Sequence, residues 1–121
     1  MEIQVYRLRH ALEVVGPAVP TRHLTLPVLS NVLFTRGKLV ATNLAIAVSV
    51  ELREAQDSSF LAPYKALKET LAYIPGRHII TIQPEKSLVR IVDNGIAIEL
   101  DCVGANADHY PPIPAVDTEP A

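Results

Sequence analysis

Tryptophan is absent from this chain of 121 residues, and cysteine and methionine each occur once. A lone Cys102 has no internal partner for a disulfide. Packing alone must therefore hold the core, and the bacterial cytoplasm, or at least a reducing compartment, is expected. No stretch approaches the roughly 20 consecutive apolar residues of a membrane helix, so no membrane partner is expected. The opening Met1-Glu2-Ile3-Gln4 has neither the basic segment nor the apolar run of a signal peptide. An excess of positive charge is missing as well. The formal net charge is −2, which excludes a cation-coated surface for tight nucleic-acid binding but leaves room for a basic patch of limited area.

Catalytic signatures are equally scarce. His10, His23, His78 and His109 show no paired metal-ligand spacing, and one cysteine does not complete a zinc site. Gly37-Lys38 lacks the upstream glycine of a phosphate-binding loop, and no Gly-x-Ser-x-Gly elbow occurs. The expectation is no enzyme, no cofactor and no metal, with Cys102 as a small buried hydrophobe.

What the chain does have is patterned apolar surface: 49% apolar and 20% charged residues, at the size of one domain. From Val40 to Leu52, large or β-branched residues alternate with small or polar ones, the period of a half-buried strand. The span is either one strand or two that turn near Thr42-Asn43. Ser30–Thr35 reads as a strand before it, with Arg36-Gly37-Lys38 as the turn. Ser87–Val92 and Ile96–Cys102 flank Asp93-Asn94-Gly95, and Asn-Gly between alternating runs marks a hairpin because both residues tolerate positive φ. Ile79–Gln83 is a further strand.

Helical spacing appears twice. Leu8, Ala11, Leu12 and Val15 form one stripe over Arg7–Val15, ended by Gly16-Pro17. Tyr64, Leu67, Leu71 and Ile74 form another over Pro63–Ile74, with Pro63 in the first turn and Pro75-Gly76 as the stop. Short extended pieces, Ile3–Tyr6 and Ser59–Ala62, precede them. The order strand, helix, three strands thus occurs twice, over about 1–57 and 58–104. Such a duplication predicts an α+β fold: two βαβββ repeats, with two helices packed side by side on one face of curved antiparallel sheet. Residues 1–110 form the expected domain. Residues 111–121, with Pro111, Pro112, Pro114 and Pro120, read as a proline-rich linker.

Four segments resemble the first domain of the bacterial sliding clamp, the DNA polymerase III beta subunit. They are Leu24-Thr25-Leu26-Pro27-Val28-Leu29-Ser30-Asn31, Leu39-Val40-Ala41-Thr42-Asn43-Leu44-Ala45-Ile46, Leu61-Ala62-Pro63-Tyr64-Lys65-Ala66-Leu67 and Asp108-His109-Tyr110-Pro111. They follow the family's order and spacing over nearly the whole chain. Asn43 stands where many members have aspartate, and the first helix is about one turn short. The resemblance implies the DNA clamp fold and a non-catalytic processivity factor. It implies one domain of a head-to-tail ring that encircles double-stranded DNA, touches it without reading sequence, and tethers the replicative polymerase. The linker would then lead to a second domain, and contacts to DNA polymerase III and the clamp loader would lie on domains absent here.

Lys65 and Lys68 lie opposite the apolar stripe of the second helix or at its edge, and the resemblance makes them DNA-facing; the same positions also suit an ordinary solvated helix face, as Glu69 beside them suggests. Arg22 and His23 fall in the loop where the family touches DNA, with Arg22 the better phosphate partner at neutral pH. Arg7, Arg9 and His10 on the first helix would add positive field. Ile98 and Leu100, on the apolar face of the last strand with Ile96 and Cys102, match a subunit interface in the family, and period two equally predicts plain core packing. A free-standing clamp-like adaptor or decoy domain, pairing with a clamp or with itself, is the alternative reading. An unrelated α+β enzyme or ligand-binding module is a third.

Overall fold

A computed structural model describes residues 1–20, 27–86, 88–102 and 110. Arg22, His23 and the expected linker 111–121 lie outside the described residues. So do Leu24-Thr25-Leu26 of the first motif, and all but Tyr110 of the closing motif.

The duplication is present. The first repeat runs β1 (Glu2–Gln4), α1 (Val5–Val15), β2 (Asn31–Thr35), β3 (Lys38–Thr42) and β4 (Ala47–Glu51). The second runs β5 (Ser59–Pro63), α2 (Tyr64–Leu71), β6 (Ile79–Pro84), β7 (Leu88–Asp93) and β8 (Ile96–Asp101). The expected antiparallel sheet consists of two four-stranded sheets, ordered β1-β6-β7-β8 and β4-β3-β2-β5. Each repeat lends its first strand to the sheet of the other. Ile3 sits opposite Ile80 and Phe34 opposite Phe60, so each exchanged strand stitches one half to the other.

Period two holds along β6 and β7, whereas β3 and β5 of the other sheet are buried on both faces at Leu39–Thr42 and Phe60–Ala62. Ile80, Ile82, Val89 and Ile91 are buried, while Thr81, Gln83, Arg90 and Val92 between them are more accessible. The buried stripe of α1 is Val5, Leu8, Ala11, Leu12 and Val15; that of α2 is Leu67 and Leu71. These meet one core, in which the rings of Phe34 and Phe60 stack at 4.7 Å and 11°. A smaller cluster of Leu29, Leu61 and Tyr110 packs beside Leu33, and the Tyr110 hydroxyl accepts the Thr42 N–H at 3.1 Å. Burial pushes that phenol up to about 12.

Helix limits differ from the periodicity. α1 starts two residues earlier, because Val5 and Tyr6 N–H groups donate to the carbonyls of His78 and Gly76 at 2.9 and 3.0 Å. The orphan donors of its first turn are thus satisfied by backbone from the other repeat. α2 is shorter than expected: Pro63 is the last residue of β5 and the cap position, and the helix stops at Leu71, three residues before the apolar stripe does. Ile74 stays buried in the irregular turn that follows.

The run Val40–Leu52 is two strands. Between them, the Asn43 side-chain oxygen accepts the N–H groups of Ala45 and Ile46, both at 2.9 Å. The Thr42 hydroxyl accepts from Leu44 N–H at 3.1 Å and donates to the Ile46 carbonyl at 2.8 Å. These bonds hold Leu44 at φ 76°, a costly conformation for a residue with a branched side chain. Only an acceptor oxygen is required at position 43, which asparagine and aspartate supply equally. Asn43→Ala is expected to cost about 1–2 kcal/mol in denaturant unfolding and Asn43→Asp to be nearly silent; equal losses from both would show that the acceptor does not matter. The hairpins β2–β3 and β7–β8 turn on two residues with positive φ, Arg36-Gly37 and Asn94-Gly95, as primed turns require.

Candidate functional site

The helices run antiparallel: Arg9 of α1 reaches the end of α2, while Gly16, just past α1, lies against Tyr64 at the start of α2. Their solvent side presents Tyr6, His10, Glu13 and Val14 from α1, and Lys65, Lys68 and Glu69 from α2. Two lysines and two glutamates leave this face close to neutral. Lys65 is exposed and makes no ion pair with any described residue. Lys68 is exposed and holds its ammonium 5.8 Å from the centre of the Tyr64 ring.

The arginines of α1 are committed elsewhere. Arg7 makes a two-pronged ion pair with Glu54, at 2.6 and 2.8 Å, tying α1 to the turn Arg53–Ala55. Hydrogen bonding from Arg7 holds the Glu54 carboxyl below the usual carboxylate range. Arg9 donates to the carbonyl of Leu71 at 3.0 and 2.5 Å and to that of Ile74. Those carbonyls close α2, so the cation sits at the negative end of that helix. Of the three α1 residues expected to add positive field, only His10 faces solvent unengaged. Sequence spacing gives no sign of this, because the partners lie 47 to 65 residues away.

The second surface is the edge of β8, which no other described strand pairs beyond β7. Along its inner face exposure falls in steps: Ile96 is 63% exposed, Ile98 is half-buried and packed on the core, and Leu100 is 8% exposed. The two interface candidates therefore differ. Leu100 belongs to the core, and Ile98 bridges core and surface. Above them a groove of about 590 Å³ opens between β8 and α2, with Ala66, Thr70, Tyr73 and Ile74 on the helix side and Glu69 and Asp93 at its rim. Tyr73, 90% exposed, was not singled out from the sequence; it falls off the Tyr64/Leu67/Leu71/Ile74 stripe, and that is the signal that marks it. His78 Nδ1 lies 3.2 Å from both oxygens of Asp93.

Cys102 is buried and its thiol faces the Leu61 carbonyl at 3.4 Å. Burial, followed by the charge of Asp101, pushes it up to about 11, which keeps it protonated and unreactive. Among the described residues no group of three His, Cys, Asp or Glu side chains could hold a metal ion. None of their helices is long and apolar enough to cross a membrane.

No protein-family model matches the chain, and no curated protein matches it in sequence. Solved structures do. A DNA polymerase III subunit beta from Pseudomonas aeruginosa superposes with a TM-score of 0.78 at 25% identity, covering 96% of this chain and 32% of its own. A sliding clamp of the same organism, bound to griselimycin, gives 0.73 at 26% identity, covering 99% and 33%. A DNA polymerase III beta subunit from Eubacterium rectale gives 0.78 at 19% identity, covering 98% and 33%. This chain thus has, over nearly its whole length, the fold of a single domain of the DNA polymerase III beta sliding clamps, and it spans about a third of their length.

Proposed function

We propose that this chain is one domain of a ring-shaped sliding clamp that encircles duplex DNA and tethers the replicative polymerase, acting by shape and charge and not by catalysis. The observation that carries the reading is the duplicated βαβββ fold, with its two helices side by side and its exchanged strands, matched to clamp structures at a TM-score of 0.78. Lys65 and Lys68 supply the DNA-facing charge, with Arg22 and His23, between α1 and β2 in the sequence, as further contacts. Ile98, and Leu100 beneath it, belong to the edge that meets the neighbouring domain of the ring. Partners reached through other domains are the polymerase and the clamp loader, in the bacterial cytoplasm.

The near-neutral helical face suits this work. Two lysines attract phosphates, while strong binding at one place would stop sliding. In a ring containing this chain, Lys65→Glu and Arg22→Glu should each weaken DNA association and flatten its logarithmic salt dependence by about 0.9 per lost phosphate contact. An unchanged slope would remove that residue from the contact surface. Encirclement itself is read by topology: such a ring stays on a circular plasmid and runs off when the plasmid is linearised. Equal retention on both forms would overturn it.

A further inference from the structure

Asn31, Asn43 and Asn94 are the asparagines among the described residues, and their surroundings differ. Asn31 is wholly buried. Asn43 is half-buried, and its side-chain oxygen accepts the N–H groups of Ala45 and Ile46. Asn94 is exposed at the tip of the β7–β8 hairpin, and its side chain makes no hydrogen bond to a described residue. The next residue differs too. Branched side chains, Val32 and Leu44, stand beside the nitrogen that follows the first two, whereas Gly95 follows Asn94. A Cβ built on Gly95 would meet nothing within 4 Å, so its nitrogen is open to approach.

We propose that Asn94-Gly95 is a site of spontaneous covalent modification, deamidation through a succinimide ring, independent of what the domain binds. The Gly95 nitrogen gives its proton to solvent base and attacks the Asn94 side-chain carbonyl carbon, Cγ. The new bond from nitrogen to Cγ forms, the Cγ–Nδ2 bond breaks, and Nδ2 leaves as ammonia. Water then opens the ring at one of its two carbonyls. Opening at Cγ leaves aspartate, and opening at the main-chain carbonyl leaves isoaspartate, whose backbone runs through Cβ and Cγ. Nothing is oxidised or reduced. Attack requires Asn94 to leave the left-handed conformation it holds at φ 49°, so the turn must open first. Its position favours that. The ladder ends beside it at the pair Asp93–Ile96, β8 lies at the edge of its sheet, and Ile96 is 63% exposed; exposed ends of this kind open at little cost. Aspartate would set a new carboxylate beside Asp93, which already pairs with His78. Isoaspartate would lengthen the main chain by one methylene inside a turn that closes on two residues, which breaks the match to the strand twist.

The test incubates the 121-residue chain in warm, mildly alkaline buffer and follows each asparagine by peptide mass spectrometry. Asn94 should convert at least about tenfold faster than Asn31 or Asn43, whose burial and hydrogen bonds hold them back. Its product should be a mixture of aspartate and isoaspartate, resolved by chromatography, with ammonia released in equal amount. Amide NMR of the aged chain should show new positions for Asp93–Ala97, while Val89 and Ile91 keep theirs. Asn94→Gly retains a primed turn as Gly-Gly; it should fold with the same hairpin and show no change in this segment on ageing. Asn94 intact in the folded chain, conversion led by Asn31 or Asn43, or a product that is aspartate alone would each overturn the proposal.

Discussion

Replacing Ile96 by aspartate should weaken any assembly built through β8 by about thirtyfold to a thousandfold while hardly moving the melting temperature of the domain. The reason is the gradient of exposure along that strand. Ile96 is 63% exposed in the isolated unit, so a charge there stays hydrated and costs the fold within about 0.5 kcal/mol. Covered by a partner, the same carboxylate is stripped of water at the centre of an apolar contact, where losses of about 2–4 kcal/mol are usual. Leu100→Asp behaves differently: at 8% exposure in the core, it should unfold a domain whose whole stability is about 5–15 kcal/mol. Ile98→Asp lies between, weakening both. Sedimentation for assembly and thermal melts for folding separate the three. Assembly unaffected by Ile96→Asp would leave β8 without an interface role.

Arg9→Ala should destabilise the domain by about 2–3 kcal/mol, roughly 10 °C in Tm for a chain of this size, without changing the salt dependence of DNA binding. A basic residue on the first helix of a sliding-clamp fold invites the opposite expectation. Its guanidinium is spent on the carbonyls of Leu71 and Ile74, closing the short helix α2, whose Pro63 cap offers no side-chain hydrogen bond. Arg9→Met keeps the aliphatic stem and should lose most of the same stability, assigning the effect to the charged hydrogen bonds and not to packing. A salt slope reduced by about 0.9 on Arg9→Ala would place the residue on DNA after all.

Much of the fold was legible because its signals are local. Alternation located the strands of both repeats, Asn94-Gly95 located a hairpin, and the order strand, helix, three strands exposed the duplication. Helix limits were less legible. The start of α1 depends on carbonyls of residues 76 and 78, and the apolar stripe of α2 outlasts its helix because Ile74 reaches the core from a turn. At the helical face, Lys65 and Lys68 were readable because their own helix decides which way they point. Arg7 and Arg9 were not readable, since an ion pair or a cap made with a distant segment leaves no mark on the spacing of neighbours.

By itself, the sequence determined the repeat, the strand and turn positions, the apolar faces and the exposure of the α2 lysines. Each follows from backbone periods of 2.0 and 3.6 acting over a few residues. Tertiary structure alone decided that the first strands cross between the sheets, that two arginines of α1 are bound internally, and that Ile96 stands in water while Leu100 does not. Periodicity says which side of an element is apolar. How deep each apolar residue lies depends on where the sheet ends and on what the other half of the chain brings against it.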